Sequence, residues 1–292
     1  MKSCLSSIPT LIYRLARRNP DKVAVIDTDL TSYTYGTLNS MADTIKKMFP
    51  TACPARVGIL MGAGIRQIAS VLAIVKNGGA YVPLDPALNS ASLSRQAREA
   101  KIDFVLTDTS NEMRLEGTPA VVVPQMVECS GIEESEPLDF KAKDVVCSLP
   151  DNKGKFQEFS RKDVRSQACF LSKEFGIKSD DVVLQSSLAS SRMFVAEVFA
   201  TMIKGATLAI LPEKNRGYAK AVADFAEQTG VTIICGYRNM VDEIGLLKNL
   251  PSKLRLMLSA ASDRLSARFS GLNRADLIKG WSAVNCSRLS LG

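Results

Sequence analysis

The sequence predicts an α/β fold: two similarly built lobes, each a mainly parallel sheet flanked by helices. Three observations carry this. Short apolar runs alternate with amphipathic helical stretches along almost the whole chain, the pattern of strand–helix–strand crossovers. A helix ending in Lys-Asn-Gly-Gly or Lys-Gly feeds an apolar strand once in each half, as "VKNGGAYVPL" and "IKGATLAIL". A polar, acidic stretch at 128–143, "ECSGIEESEPLDFKAK", reads as a linker, giving lobe 1 about 1–127 and lobe 2 about 144–292.

The elements follow in order. Arg14, Arg17 and Arg18 fall on one turn of an N-terminal helix, and "KVAVID" and "RVGILM" read as buried strands. "GIRQIASVLAIVKNGG" places Ile65, Ile68, Val71, Leu72 and Val75 on one helical face and stops at Gly78-Gly79. "AYVPL", "DFVLTD" and "AVVVPQ" are short β-rich runs bounded by Pro, Asp and Gly. In the second half, strand "DVVCSL" leads to helix "KDVRSQACFLSKEFGI" and strand "DDVVLQSS". Helix "VAEVFATMIKG" then feeds "ATLAIL", "YAKAVADFAEQTG" feeds "VTIICG", and "MVDEIGLLKNL" feeds "LRLMLSA".

Composition narrows the function classes. The chain has 292 residues, 46% hydrophobic and 23% charged, as expected of a globular protein with a substantial core. Its net charge of +7 is spread among interleaved acids, so a solvated basic surface is expected and not a nucleic-acid partner. The seven cysteines are scattered singly, which points to reduced thiols and a cytoplasmic setting. There is no histidine, which excludes Ser–His–Asp and Cys–His catalysis within this chain. No apolar run is long enough to span a bilayer, so no membrane association is expected.

"IVKNGGAYVPLDP" (Ile74–Pro86) carries a more specific signal, supported by "SYTYGTLN" (Ser32–Asn39) and by "LQSSLASSRMFVAEVFATMIKGATLAIL" (Leu184–Leu211). Together these stretches resemble the adenylation domains of nonribosomal peptide synthetases, in the adenylate-forming, AMP-binding family. The first two match motifs that are structural in that family. The resemblance implies the family's large N-terminal subdomain. The family's later motifs and its small C-terminal domain, with the catalytic lysine, lie beyond what this sequence matches, so the chain is expected to be a truncated form.

The chemistry-bearing motifs depart from the family. Its phosphate loop runs about Y-T-S-G-S-T-G-K-P-K-G, and Val146–Phe156 lies opposite as "VCSLPDNKGKF". Ser148, Lys153 and Lys155 are the remnants; Leu149, Asn152 and Phe156 stand where the family has glycine, with Pro150 and Asp151 at its hydroxyl pair. Such a loop holds phosphate with backbone N–H groups in a glycine-dependent bend, so a proline and an acid there oppose binding. A solvated connector is expected instead. Arg192 takes the place of the family's aspartate for the substrate ammonium, with Ala189 and Ser191 at its aromatic positions, whereas Glu197 and Phe199 match. Arg192 is expected to pair with Glu197 or to turn to solvent. In the fifth motif Asn285 remains, but Ser287 and Leu291 replace the adenine-stacking tyrosine and the Mg²⁺-binding glutamate, and Ala260-Ala261 replaces a Gly-Gly.

The resemblance thus implies an inactive pseudo-adenylation domain with ATP and Mg²⁺ binding lost and no catalytic or metal residues. Its role would be a scaffold or docking unit beside a condensation or carrier domain. Two other readings use the same residues. Ser148 and Lys155 could support residual adenylation with the lysine-bearing domain supplied in trans. Arg192, if it faced the old cleft, would suit a small anionic metabolite.

Overall fold

The computed structural model describes residues 7–51, 55–125, 127, 144–151, 154–260 and 278–281. In chain order the first elements are α1 (Ile8–Arg18), β1 (Val23–Ile26), β2 (Ser32–Thr34), α2 (Tyr35–Lys47) and β3 (Arg56–Leu60). They are followed by α3 (Ile65–Lys76), β4 (Ala80–Pro83), α4 (Ser90–Glu99), β5 (Phe104–Thr107) and β6 (Ala120–Val122). Next come β7 (Val145–Pro150), β8 (Phe156–Ser160), α5 (Arg161–Glu174), β9 (Val182–Gln185) and α6 (Arg192–Met202). The last are β10 (Thr207–Ile210), α7 (Ala219–Thr229), β11 (Ile233–Tyr237), α8 (Arg238–Gly245), β12 (Leu256–Ala260) and β13 (Ile278–Trp281). No helix among the described residues is long and apolar enough to cross a membrane.

Two compact units result. The first takes in residues to 23, 33–165 and 189–192; the second takes in 24–32, 166–188 and 193 onward. The first unit's sheet has the order β6-β5-β3-β4-β7-β8, parallel apart from the antiparallel pair β7–β8. The second sheet runs β13-β12-β11-β9-β10-β1-β2, and its pairs from β13 to β1 are parallel. Two mostly parallel sheets flanked by helices are the architecture the alternation implies.

The unit boundaries fall elsewhere than the sequence suggests. β7 and β8 belong to the first unit's sheet, not to a lobe starting at 144, because the parallel edge of β4 pairs with β7. β1 joins the second sheet through β10, far away in sequence. Residues 128–143, read as a linker, lie outside the described residues.

Local chemistry explains the ends of the elements. Ser7 and Thr34 cap α1 and α2 by accepting the N–H of Thr10 and Thr37, and Arg17 and Arg18 close α1 at the favoured end of its dipole. After α3 the chain turns at Gly78, φ 84°, where a side chain would be strained, and the Gly79 N–H returns to the Ile74 carbonyl at 3.0 Å. This sharp stop delivers the chain into β4. α3 buries nearly every side chain, which explains its weak polar face.

A buried ion cluster joins two of the stretches that carry the family resemblance. Lys76, at the end of α3, is 3% exposed and its Nζ donates at 2.8 Å to Asn39 Oδ1 and to both oxygens of Asp43 on α2. The same ammonium lies 5.8 Å from the centre of the Tyr13 ring on α1. Three helices of the first unit are thereby fixed on one buried cation. Full satisfaction by hydrogen bonds is what makes such a buried charge tolerable.

Candidate functional site

The stretch at the phosphate-loop position is a β-hairpin. Residues 145–150 form β7, residues 156–160 form β8, and Ser148 lies opposite Glu158, Leu149 opposite Gln157 and Pro150 opposite Phe156. The segment is therefore not the connector expected from sequence. β7 is a core strand, with Cys147 and Leu149 buried, and Ser148 is buried at 2% exposure. Cys147 faces Tyr81 of β4 in register, and burial pushes its thiol up to about 12, so it stays protonated and inert.

The hairpin turn is held together by its own groups. The Asp151 N–H donates to the Lys155 carbonyl at 2.8 Å, and the Gly154 N–H to the Asp151 carbonyl at 2.9 Å. The Lys155 N–H donates to Asp151 Oδ1 at 2.9 Å. Gly154 has φ 78°, and an added Cβ would meet nothing within 4 Å, so the glycine serves the bend and not a close approach. Three backbone donors of the stretch are thus directed inward, and the carboxylate of Asp151 takes one of them. Lys155 contributes its backbone to the turn, while Lys153 and Asn152 lie outside the described residues.

Arg192 belongs to the same unit. It neither pairs with Glu197 nor turns away to solvent. Its guanidinium donates to Gln157 Oε1 and stacks over Phe159, with 4.9 Å from Cζ to the ring centre. An aromatic on β8 thus lies against the guanidinium, and an amide on β8 takes one of its donors. Sequence reasoning missed both partners because β8 was not recognised as a strand.

Glu197, in the second unit, makes a separate cluster. It is 3% exposed and accepts from the Ser187 N–H at 3.2 Å and the Ser187 hydroxyl at 3.0 Å. Ser186 Oγ and Gln185 Nε2 each stand 3.4 Å from its carboxyl oxygens. Burial raises its carboxyl to about 7, against hydrogen bonds that favour the charged form. Phe199, the other matching residue of this motif, is fully buried. Asn285, Ser287 and Leu291 of the fifth motif, with Ala261, lie outside the described residues.

Two mostly parallel sheets flanked by helices, with a hairpin at the phosphate-loop position, define an α/β protein of the adenylate-forming type. Residues 12–161 match the family model described as AMP-binding enzyme, and the chain belongs to that family. Among curated relatives, it is 25% identical over 238 residues to a polyketide synthase-nonribosomal peptide synthetase of Aspergillus clavatus, covering 78% of this chain and 6% of the relative. It is 25% identical over 243 residues to the N-(5-amino-5-carboxypentanoyl)-L-cysteinyl-D-valine synthase of Penicillium rubens, covering 77% of this chain and 6% of that one. An aldehyde reductase of Aspergillus flavus, lnbA, is 22% identical over 235 residues, with 77% and 23% covered. The chain therefore spans less than a quarter of these relatives' own length.

Solved structures show the same fold. The nonribosomal peptide synthetase FmoA3 in its AMPPNP-bound form superposes with a TM-score of 0.83 at 21% identity, covering 94% of this chain and 31% of that one. The Klebsiella oxytoca NpsA N-terminal subdomain, in complex with 3-hydroxybenzoyl-AMSN, gives 0.76 at 17% identity, with 88% and 67% covered.

Proposed function

We propose that this chain is an adenylation-like module that has lost ATP and Mg²⁺ chemistry and serves as a folded docking unit beside condensation or carrier domains of a peptide synthetase. The observation that carries the reading is the self-closed turn, in which Asp151 accepts the Lys155 N–H at 2.9 Å. A triphosphate binds such a bend through outward backbone N–H groups, and an anion already seated there repels it. The residues present therefore do not fit ATP. Arg192 supports the same reading for the amino-acid site: a guanidinium stacked on Phe159 offers an ammonium group no counter-charge.

The docking role rests on the relatives, which include a nonribosomal peptide synthetase and a tripeptide synthase many times longer than this chain. ATP–pyrophosphate exchange across a panel of amino and carboxylic acids, with and without added synthetase domains, tests the loss of chemistry. No exchange above background is expected, and exchange with any acid overturns it. Co-elution of the chain with a condensation or carrier domain in size-exclusion chromatography tests docking, and separate elution from both overturns it.

A further inference from the structure

The Glu197 cluster lies where the strand order of the second sheet reverses: β10 is added on one side of β9 and β11 on the other. Gln185 ends β9, Ser186 and Ser187 begin the connection to α6, and Glu197 reaches back from α6 to hold both serines. Among the described residues, the groups that donate to this carboxylate are all neutral. Arg216 and Cys235 are the other charged or titratable groups bonded to the serines of the cluster among the described residues. Arg216 spends its Nε on the Ser186 carbonyl at 3.0 Å, and Cys235 on β11 is a buried thiol whose carbonyl accepts from the Ser186 hydroxyl at 3.2 Å. Arg192, at the start of α6, is engaged on β8.

Gln185 completes the arrangement. Its Nε2 donates to the Ser187 carbonyl at 2.6 Å and stands 3.4 Å from Glu197 Oε2. Its Oε1 is buried and has no hydrogen-bond donor among the described residues, although the residue is only 1% exposed. A buried acceptor left without a donor is costly, and a donor brought to it would relieve that cost.

We propose that Gln185 and Glu197 form a proton-coupled latch on the β9–α6 connection. With Glu197 ionised, the Ser187 N–H, the Ser187 hydroxyl and the Gln185 amide converge on the carboxylate and tie Ser187 to α6, while the single Ser186 O–H is shared with the Cys235 carbonyl. When Glu197 takes a proton from solvent it gains an O–H that needs an acceptor, and a half-turn of the Gln185 amide presents Oε1 at that place. The turn gives up the bond to the Ser187 carbonyl, and the neutral carboxyl holds the Ser187 N–H less strongly. Ser187 is then released at both its N–H and its carbonyl. The carboxyl's position near 7, raised by burial, places this exchange around neutral pH.

The test is side-chain amide NMR of the chain from acid to alkaline pH, paired with hydrogen exchange of the peptide covering residues 186–191 and corrected for intrinsic rates. The Gln185 amide signals should follow a one-proton curve centred near neutrality, with exchange several-fold faster on the acid side. In Glu197→Gln, a permanently neutral form, both should be flat. Flat signals in the unmodified chain, or the same curve in Glu197→Gln, overturn the latch. If Glu197→Gln does not fold, Ser187→Ala decides: losing a donor to the carboxylate should move the midpoint to higher pH, and an unmoved midpoint overturns the proposal.

Discussion

The Lys76 cluster and the β7–β8 turn lie in the same unit and both correspond to family motifs, yet they have fared differently. At the first, Asn39 and Asp43 lie 2.8 Å from the buried Lys76 ammonium, and with the Tyr13 ring beside it three helices are locked. At the second, Asp151, Gly154 and Lys155 close a hairpin on themselves. One motif holds the protein to itself across long sequence separations. The other lies at the position that the resemblance assigns to a phosphate loop, and the N–H groups of Asp151, Gly154 and Lys155 are bonded within the turn. A chain can keep the first and rework the second without losing its fold, since the two share no side chain.

The largest expected effect is at the cluster. Lys76→Met leaves Asp43 buried without its cation and should cost about 3–5 kcal/mol in urea unfolding. Adding Asp43→Leu to Lys76→Met should recover part of that loss, because the unpaired charge is gone. If Lys76→Met were neutral, the cluster would not be what sets this region apart from the turn.

A pH effect should come next, from the second unit. The folded carboxyl of Glu197 sits at about 7 against an ordinary 4.5, so its proton stabilises the fold. That contribution is complete below about 4.5 and is lost as pH rises through 7, by about 3 kcal/mol. Chemical unfolding between pH 5 and 8 should show the decline, and Glu197→Gln should flatten it.

The turn should respond least. Asp151→Ala removes one hydrogen bond at an exposed position and should cost about 1 kcal/mol or less in thermal unfolding. Its melting temperature should be as indifferent to added ATP–Mg²⁺ as that of the unmodified chain. Arg192→Ala should cost about 0.5–1 kcal/mol for the lost stacking on Phe159. A stabilising shift with ATP in either variant would mean that the remodelled turn and arginine alone block an otherwise competent site.

Most of the fold was legible because buried strands and amphipathic helices announce themselves by period, as in the run from Ile65 to Pro83. β8 was not: "FQEFS" has two exposed polar residues at its centre, and the hairpin was read as the end of a phosphate loop. The unit boundary was hidden for a related reason, since the pairing of β1 with β10 leaves no local trace. At the candidate site, the resemblance sets Asp151 and Arg192 opposite ligand positions of the family, but the sequence could not give their partners. Gln157 and Phe159 contact Arg192 only through the hairpin. Asn39 and Asp43, one helical turn apart on an apolar face, were a signal for the Lys76 cluster that periodicity alone passes over. Glu197 was legible as a packed residue, whereas its chemistry depends on serines brought in by the β9–α6 turn.

The most direct measurement is titration calorimetry of the chain with ATP–Mg²⁺. With the Gly154 and Lys155 N–H groups closed on Asp151, the turn should give no saturable heat up to millimolar nucleotide. Saturable binding with micromolar affinity would contradict the account: the hairpin would then have to open and hold phosphate after all.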